Sequence, residues 1–303
     1  MKLATLTSLV LKASIVLLVF GLGLDVTVHE VTYLWRRAGL FLRSLLAMNI
    51  VMPLAALALV AAFDLHPAVK VALVALSLSP VPPFLPRQGL KAGGGVAFTF
   101  SLLVAEAALA ILFVPIGVWV CASAFDVPAQ VSPATVARIV LVTVMVPLVA
   151  GMLTRHRAPA VAARIALPVS RLAIALLGVS LLPILIVASP AIVSLLGDGT
   201  LAAIAAFAVL GLAAGHLLGG PKPEEQVVLA LSTSSRHPAV ALAIAIACFP
   251  EQQLVLAALL LYLIVNAILS LSYLSWRRQH RPMAEAAQAT ALTGAVGPAS
   301  PTL

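Results

Sequence analysis

The chain has 303 residues, 62% of them hydrophobic and only 9% charged, with a mean hydropathy of +1.15. That composition excludes an ordinary soluble domain and predicts an all-α, polytopic membrane protein. The formal charge of +8 does not indicate nucleic acid, because the basic residues cluster between apolar runs instead of forming a dense surface.

A hydrocarbon core of about 30 Å needs about 20 apolar residues as helix. Nine segments approach that length: Thr7–Leu24, Gly39–Phe63, Pro67–Leu90, Gly95–Phe125, Pro133–Leu153, Ala166–Ser189, Thr200–Gly219, Glu225–Phe249 and Gln252–Trp276. The first runs into an acidic loop with no small-residue cleavage site, so it reads as a helix and not as a removed leader. Residues 282–303 lack caps and bulky apolar side chains and are expected to be a disordered cytoplasmic tail. Cys121 and Cys248 show no CxxC or CxxH spacing, and no metal or cofactor is expected.

Loop charge supports the span count. One set of alternate loops and helix ends carries Arg36, Arg37, Arg43, Lys91, Arg155, Arg157, Arg164, Arg171, Lys222, Arg277, Arg278 and Arg281. The other carries Lys2, Lys12, Lys70 and Arg138 beside Asp64, Asp126, Asp198 and Glu251. Because cytoplasmic loops collect Lys and Arg, the amino terminus is expected outside and the carboxy terminus inside a cell (plasma or inner) membrane.

The third and eighth segments are interrupted. In "LSLSPVPPFLPRQGLKAGGG", Pro80, Pro82, Pro83 and Pro86 cannot all sit in one α-helix, since each removes a donor and clashes with the turn before it. In "LALSTSSRHPAVALAIAIACF", Ser232, Thr233, Ser234, Ser235, Arg236, His237 and Pro238 interrupt an apolar run. Irregular backbone at membrane depth is tolerated where protein buries it or water reaches it, so both breaks are expected to line a cavity and to meet. A first half of four spans (1–126, broken over 67–90) and a second of five (127–281, broken over 225–249) would send the broken spans through the membrane in opposite directions, the signature of inverted repeats around a transporter's central site. With a rise of about 1.5 Å per residue, Arg236 lies roughly 17 Å from the inner start of its span. Glu106 and Asn49 come out at similar depth.

These features resemble the bile acid:sodium symporter family. The matching stretches are "FGLGLDVTV" (Phe20–Val28), Met52–Pro53, Ser79–Pro80 followed by "GGVAFTFSL" (Gly94–Leu102), and "STSSRHPAVALAIA" in the second break. The resemblance implies nine or ten spans in two inverted repeats, with a core of crossed broken helices and a panel domain. It also implies sodium held by small polar and acidic side chains around the crossing. Here the sequence departs: Thr233 stands where the family pattern has glutamate, His237-Pro238 where it has Gln-Asn, Leu85-Pro86 where it has Ser-Asn, and Met48 where it has glutamine, beside Asn49. Thr99 keeps a hydroxyl. Since sodium requires several oxygen ligands, the coupling ion is left open between sodium and a proton, with Glu106, Thr99, Thr233 and His237 as weak candidates.

Arg87 and Arg236 bring fixed positive charge to the two breaks, and a guanidinium fork suits a carboxylate or sulfonate. The expected ligand is therefore a small organic anion, met by Arg87, Arg236, His237, Ser234, Ser235 and Asn49, with Pro80, Pro86 and Pro238 opening the helices. Alternatives stand beside each role. Arg236 is read as a substrate contact or as a cap on the broken helix's carbonyls, and Arg87 as a site residue or a snorkelling interfacial one. His237 is read as a proton carrier or a packed hydrogen-bonding group, and Glu106 as a counter-ion or a proton carrier. The functions in competition are a secondary active transporter, a proton-coupled or uncoupled facilitator, and a ligand-binding membrane receptor. An enzyme is not expected, because no HExxH, GxSxG or paired intramembrane aspartates occur.

Overall fold

In a bilayer every backbone N–H and C=O of a spanning segment must be satisfied within the protein, which leaves helices as the structure open to runs of Leu, Ala, Val and Ile. A computed structural model describes residues 3–82, 85, 93–124 and 132–295. It is 85% helix, with no strand among the described residues. We number the principal helices α1 (Leu3–Gly23), α2 (Ala38–Ala62), α3 (Pro67–Leu78), α4 (Val96–Ala124), α5 (Ala134–Arg157), α6 (Pro159–Ser194), α7 (Thr200–Leu218), α8 (Pro223–Ser234), α9 (Pro238–Cys248) and α10 (Val255–Ala295).

Seven of these segments, counting α8 and α9 together as Pro223–Cys248, are long and apolar enough to cross a membrane. The apolar run Leu9–Gly23 of α1 and the whole of α3 are shorter. α3 begins at Pro67, where the missing N–H is no loss, and the His66 ring accepts from the Ala68 N–H at 3.2 Å. It stops at Ser79, which takes an extended conformation because Pro80 follows. α10 continues to Ala295, so helical backbone enters the stretch expected to be disordered. Its sequence there, "MAEAAQA", consists of strong helix formers.

α2 and α5 each contain a wider π-helical turn, Leu46–Val51 and Leu141–Met145, and each turn is followed within two residues by a proline, Pro53 or Pro147. A proline cannot donate to the carbonyl one turn earlier, and the backbone widens to accommodate the loss.

α1 packs against α5 and α6. Gly23 and Gly151 let α1 and α5 touch, since a Cβ on either would stand 2.3 Å from a carbonyl oxygen of the other helix. α2, α3, α4 and α7 to α10 share the main apolar core, with Met48, Met52, Leu73, Leu76, Phe98 and Phe207 inside it. The segment Pro223–Cys248 is 78% buried over its apolar window, against 11% for α6, so the polar broken segment lies inside the protein and the apolar α6 at its edge. α7 approaches α8 backbone to backbone through Gly211, Gly215 and Gly219, spaced one turn apart.

Candidate functional site

Both breaks have the same local cause. Ser79 before Pro80 and His237 before Pro238 are held extended, and α9 restarts with Pro238 in its first turn. The segments carry backbone groups with no helical partner, and they satisfy one another. The His237 N–H donates to the Pro80 carbonyl at 2.9 Å. Arg236, with 0% of its surface exposed, donates from Nη1 to the Ser79 carbonyl at 3.0 Å and from Nη2 to the Met48 carbonyl at 2.6 Å. Met48 lies in the π turn of α2. One guanidinium thus joins irregular backbone from α2, from the end of α3 and from its own break.

The second break is braced from α10. The Tyr262 hydroxyl donates to the Ser234 carbonyl, the last of α8, and accepts from the Arg236 N–H at 3.1 Å. One turn on, Asn266 donates from Nδ2 to Ser235 Oγ at 3.0 Å. Sequence reasoning missed both residues. The signal was present, because Tyr262, Asn266 and the buried Ser270 recur every four residues in an otherwise apolar span and so share one helix face. Replacing Tyr262 by phenylalanine leaves two buried backbone groups unpaired, at about 1–3 kcal/mol for each. The thermal midpoint of the detergent-purified variant is expected to fall, and an unchanged midpoint contradicts the bracing role.

Glu106, 2% exposed, accepts from Nδ2 of Asn49 at 3.3 Å and acts electrostatically on Arg236. Asn49, Glu106, Arg236, His237 and Pro80 therefore come together, while Pro86 and Arg87 lie outside the described residues. Ser234 Oγ donates to the Leu231 carbonyl at 3.2 Å and Thr99 Oγ1 to the Gly95 carbonyl at 2.8 Å, so both hydroxyls bond within their own chain segment. Among the described residues, Thr233 Oγ1, Arg236 Nε and both ring nitrogens of His237 are buried without a hydrogen-bond partner. Unsatisfied groups of this kind carry a penalty of about 1–3 kcal/mol each unless a ligand or water meets them.

At one end of the helices a second polar cluster closes on the start of α8. Glu225, 4% exposed, accepts from the Tyr33 hydroxyl at 2.9 Å and from Arg37 Nη1 at 3.2 Å, with Lys222 Nζ at 3.7 Å. Arg37 also lies over the Tyr33 ring, 4.6 Å from its centroid. Burial, and then the Glu225 carboxylate, push the Tyr33 phenol up from its usual range, so it keeps its proton as a donor. From α10, Arg277 reaches the Pro223 carbonyl at 2.9 Å and Gln226 Oε1 at 3.3 Å. Several of the basic residues grouped by loop charge thus share one end of the molecule.

Membrane-length helices around a buried, broken and charged centre define a polytopic integral membrane protein. Residues 13–195 match the sodium bile acid symporter family, and the chain belongs to that family. It is a membrane transporter of the sodium/bile acid symporter kind and not an enzyme. The matched stretch holds the second half of α1, all of α2 to α6 and the first break, whereas the second break lies beyond it. No curated protein matches the chain.

Proposed function

We propose that the protein is a secondary active transporter that moves a small organic anion by alternating access around the crossing of its two breaks. In this reading the chain crosses the membrane nine times as two inverted halves, 1–126 and 127–281, with its amino terminus outside and its carboxy terminus in the cytoplasm of a plasma or inner membrane. α1, α5 and α6 form the panel against which the remaining helices rock.

The observation that carries the reading is the concentration of buried polar atoms with no partner among the described residues, Thr233 Oγ1, Arg236 Nε and the His237 ring, beside a fixed cation at the meeting point of two helix breaks. A fixed positive charge in a low-dielectric site selects anions, and a transporter passes through states in which such groups meet substrate or water. Arg236 and His237 are assigned to the anion together with Ser234, Ser235 and Asn49, and Arg87 is assigned to the same role from the first break. A second reading, proton coupling, is favoured by the burial of Glu106 and its hold on Asn49.

Uptake into proteoliposomes of a panel of radiolabelled carboxylates and sulfonates, with sodium and proton gradients imposed separately, tests both. Accumulation of at least one anion above protein-free liposomes is expected. Saturable anion binding with no uptake would favour a membrane receptor, and neither binding nor uptake across the panel would refute the anion reading.

A further inference from the structure

A buried carboxylate must be met by donors, and whichever segment supplies them is tied to it. Glu225 stands in the first turn of α8, where the helix N-terminus favours negative charge. One of its oxygens, Oε1, meets the Tyr33 hydroxyl at 2.9 Å, Arg37 Nη1 at 3.2 Å and Lys222 Nζ at 3.7 Å. Tyr33 and Arg37 belong to the connection 24–37, which leaves α1 and leads into α2.

That connection is held from its other side as well. Arg155 of α5 donates to the Leu24 carbonyl at 3.1 Å, and Val26 packs with Val19 and Leu22 of α1, Leu148 of α5 and Phe100 of α4. This apolar cluster is separate from the main core. It marks where α1 and α5, helices of the proposed panel, meet a helix of the remaining group. α8 in turn is fixed to α7 through Gly211, Gly215 and Gly219, and its 12 residues, about 18 Å, end at the second break. Movement of Glu225 is thus carried along a stiff pair of helices to Ser234 and Arg236.

The bonds are of a breakable kind. A permanent brace has its partners buried with it, as Tyr262 does at the second break. Here the Arg37 and Lys222 side chains are 43% and 45% exposed, so water takes over their charge when Glu225 withdraws, and ion pairs at such sites are weak. A small apolar cluster likewise gives up little area when it parts.

We infer that Glu225 is a positioning residue for transport: with Tyr33 and Arg37 it latches the end of the molecule where α1 stops and α8 starts, and the latch opens when the two groups of helices rock apart there. The inference rests on the alternating-access reading. Its test needs no substrate, so its failure is separate from a failure to find the transported anion.

The test measures how fast a maleimide labels a single cysteine in unsealed membrane fragments. The cysteine is Val26→Cys, beside the latch, or Val136→Cys, in the main core at the other end of α5, each in a chain whose Cys121 and Cys248 are serine; both valines are 1% exposed. Tyr33→Phe removes the phenol donor and leaves both cations, whereas Glu225→Gln removes the charge and keeps an acceptor. Tyr33→Phe is expected to speed labelling of Val26→Cys about three- to tenfold, the population shift that one net hydrogen bond supports. Glu225→Gln is expected to speed it at least as far, and neither to change labelling of Val136→Cys. A folded variant of either kind that leaves labelling at position 26 unchanged overturns the inference. So does an equal rise at both positions, which is general loosening and not opening at one end. Tyr33→Phe loses a single oxygen atom, and it decides alone if Glu225→Gln does not fold.

Discussion

Replacing Arg236 by methionine is expected to abolish anion uptake and to destabilise the protein by about 3–5 kcal/mol, the range for removing one partner of a buried charge pair. Methionine is long and apolar enough to fill much of the space, so the effect isolates charge and hydrogen bonding from volume. It leaves the Ser79 and Met48 carbonyls without donors and Glu106 without its cation. Arg236→Lys is expected to fall between the two, because an ammonium is a point charge without the planar fork that bridges two carbonyls. Uptake in proteoliposomes and the thermal midpoint in detergent are the readouts. Wild-type uptake by the methionine variant would remove Arg236 from both the site and the crossing.

Gly215→Leu is expected to prevent α7 and α8 from packing and to yield aggregated or unstable protein. A Cβ at Gly215 would stand 2.3 Å from the Leu229 carbonyl oxygen and 2.5 Å from the Ala230 Cα, and backbone in a helix cannot swing aside as a side chain can. Overpacking an ordinary core costs about 1–3 kcal/mol. Here the obstructing atoms belong to the half-helix that ends at the second break, so the damage reaches the crossing. Gly178→Leu is the control, since a Cβ on α6 at that position meets nothing within 4 Å. Size-exclusion profiles and thermal midpoints compare the two, and a monodisperse Gly215→Leu protein with an unchanged midpoint would contradict the packing account.

The amino-acid sequence reveals where the helices open and how deep the polar residues lie, but not what those residues touch. Proline chemistry is local, and Ser79-Pro80 and His237-Pro238 open their helices where the sequence puts the breaks. Approximate depth follows from helix rise, and Asn49 and Glu106, placed at one level by counting, are hydrogen-bonded. What counting does not supply is direction. A guanidinium at the right depth can turn to a ligand or to backbone, and the carbonyls it meets belong to Ser79 and Met48, more than 150 residues away. The π turn that presents the Met48 carbonyl follows from Pro53, but its place beside the second break depends on how α2 packs. Tyr262 and Asn266 are visible as a polar stripe whose partner no periodicity names. The Tyr33–Arg37–Glu225 cluster joins a loop to a helix start 188 residues away from Arg37, and only the assembled fold brings them together.

The account depends on two unwound segments, one from each broken span, lying in contact and pinned by one cation. Oxidative cross-linking in native membranes tests this most directly, with cysteines at Pro80 and His237 in a chain whose Cys121 and Cys248 are replaced by serine. The His237 N–H to Pro80 carbonyl bond of 2.9 Å predicts rapid disulfide formation. The Pro80→Cys, Ile268→Cys pair, with Ile268 59% exposed on α10, is expected to stay reduced. No cross-link between positions 80 and 237 in a protein that remains folded, or equal cross-linking in the control pair, would contradict the crossing.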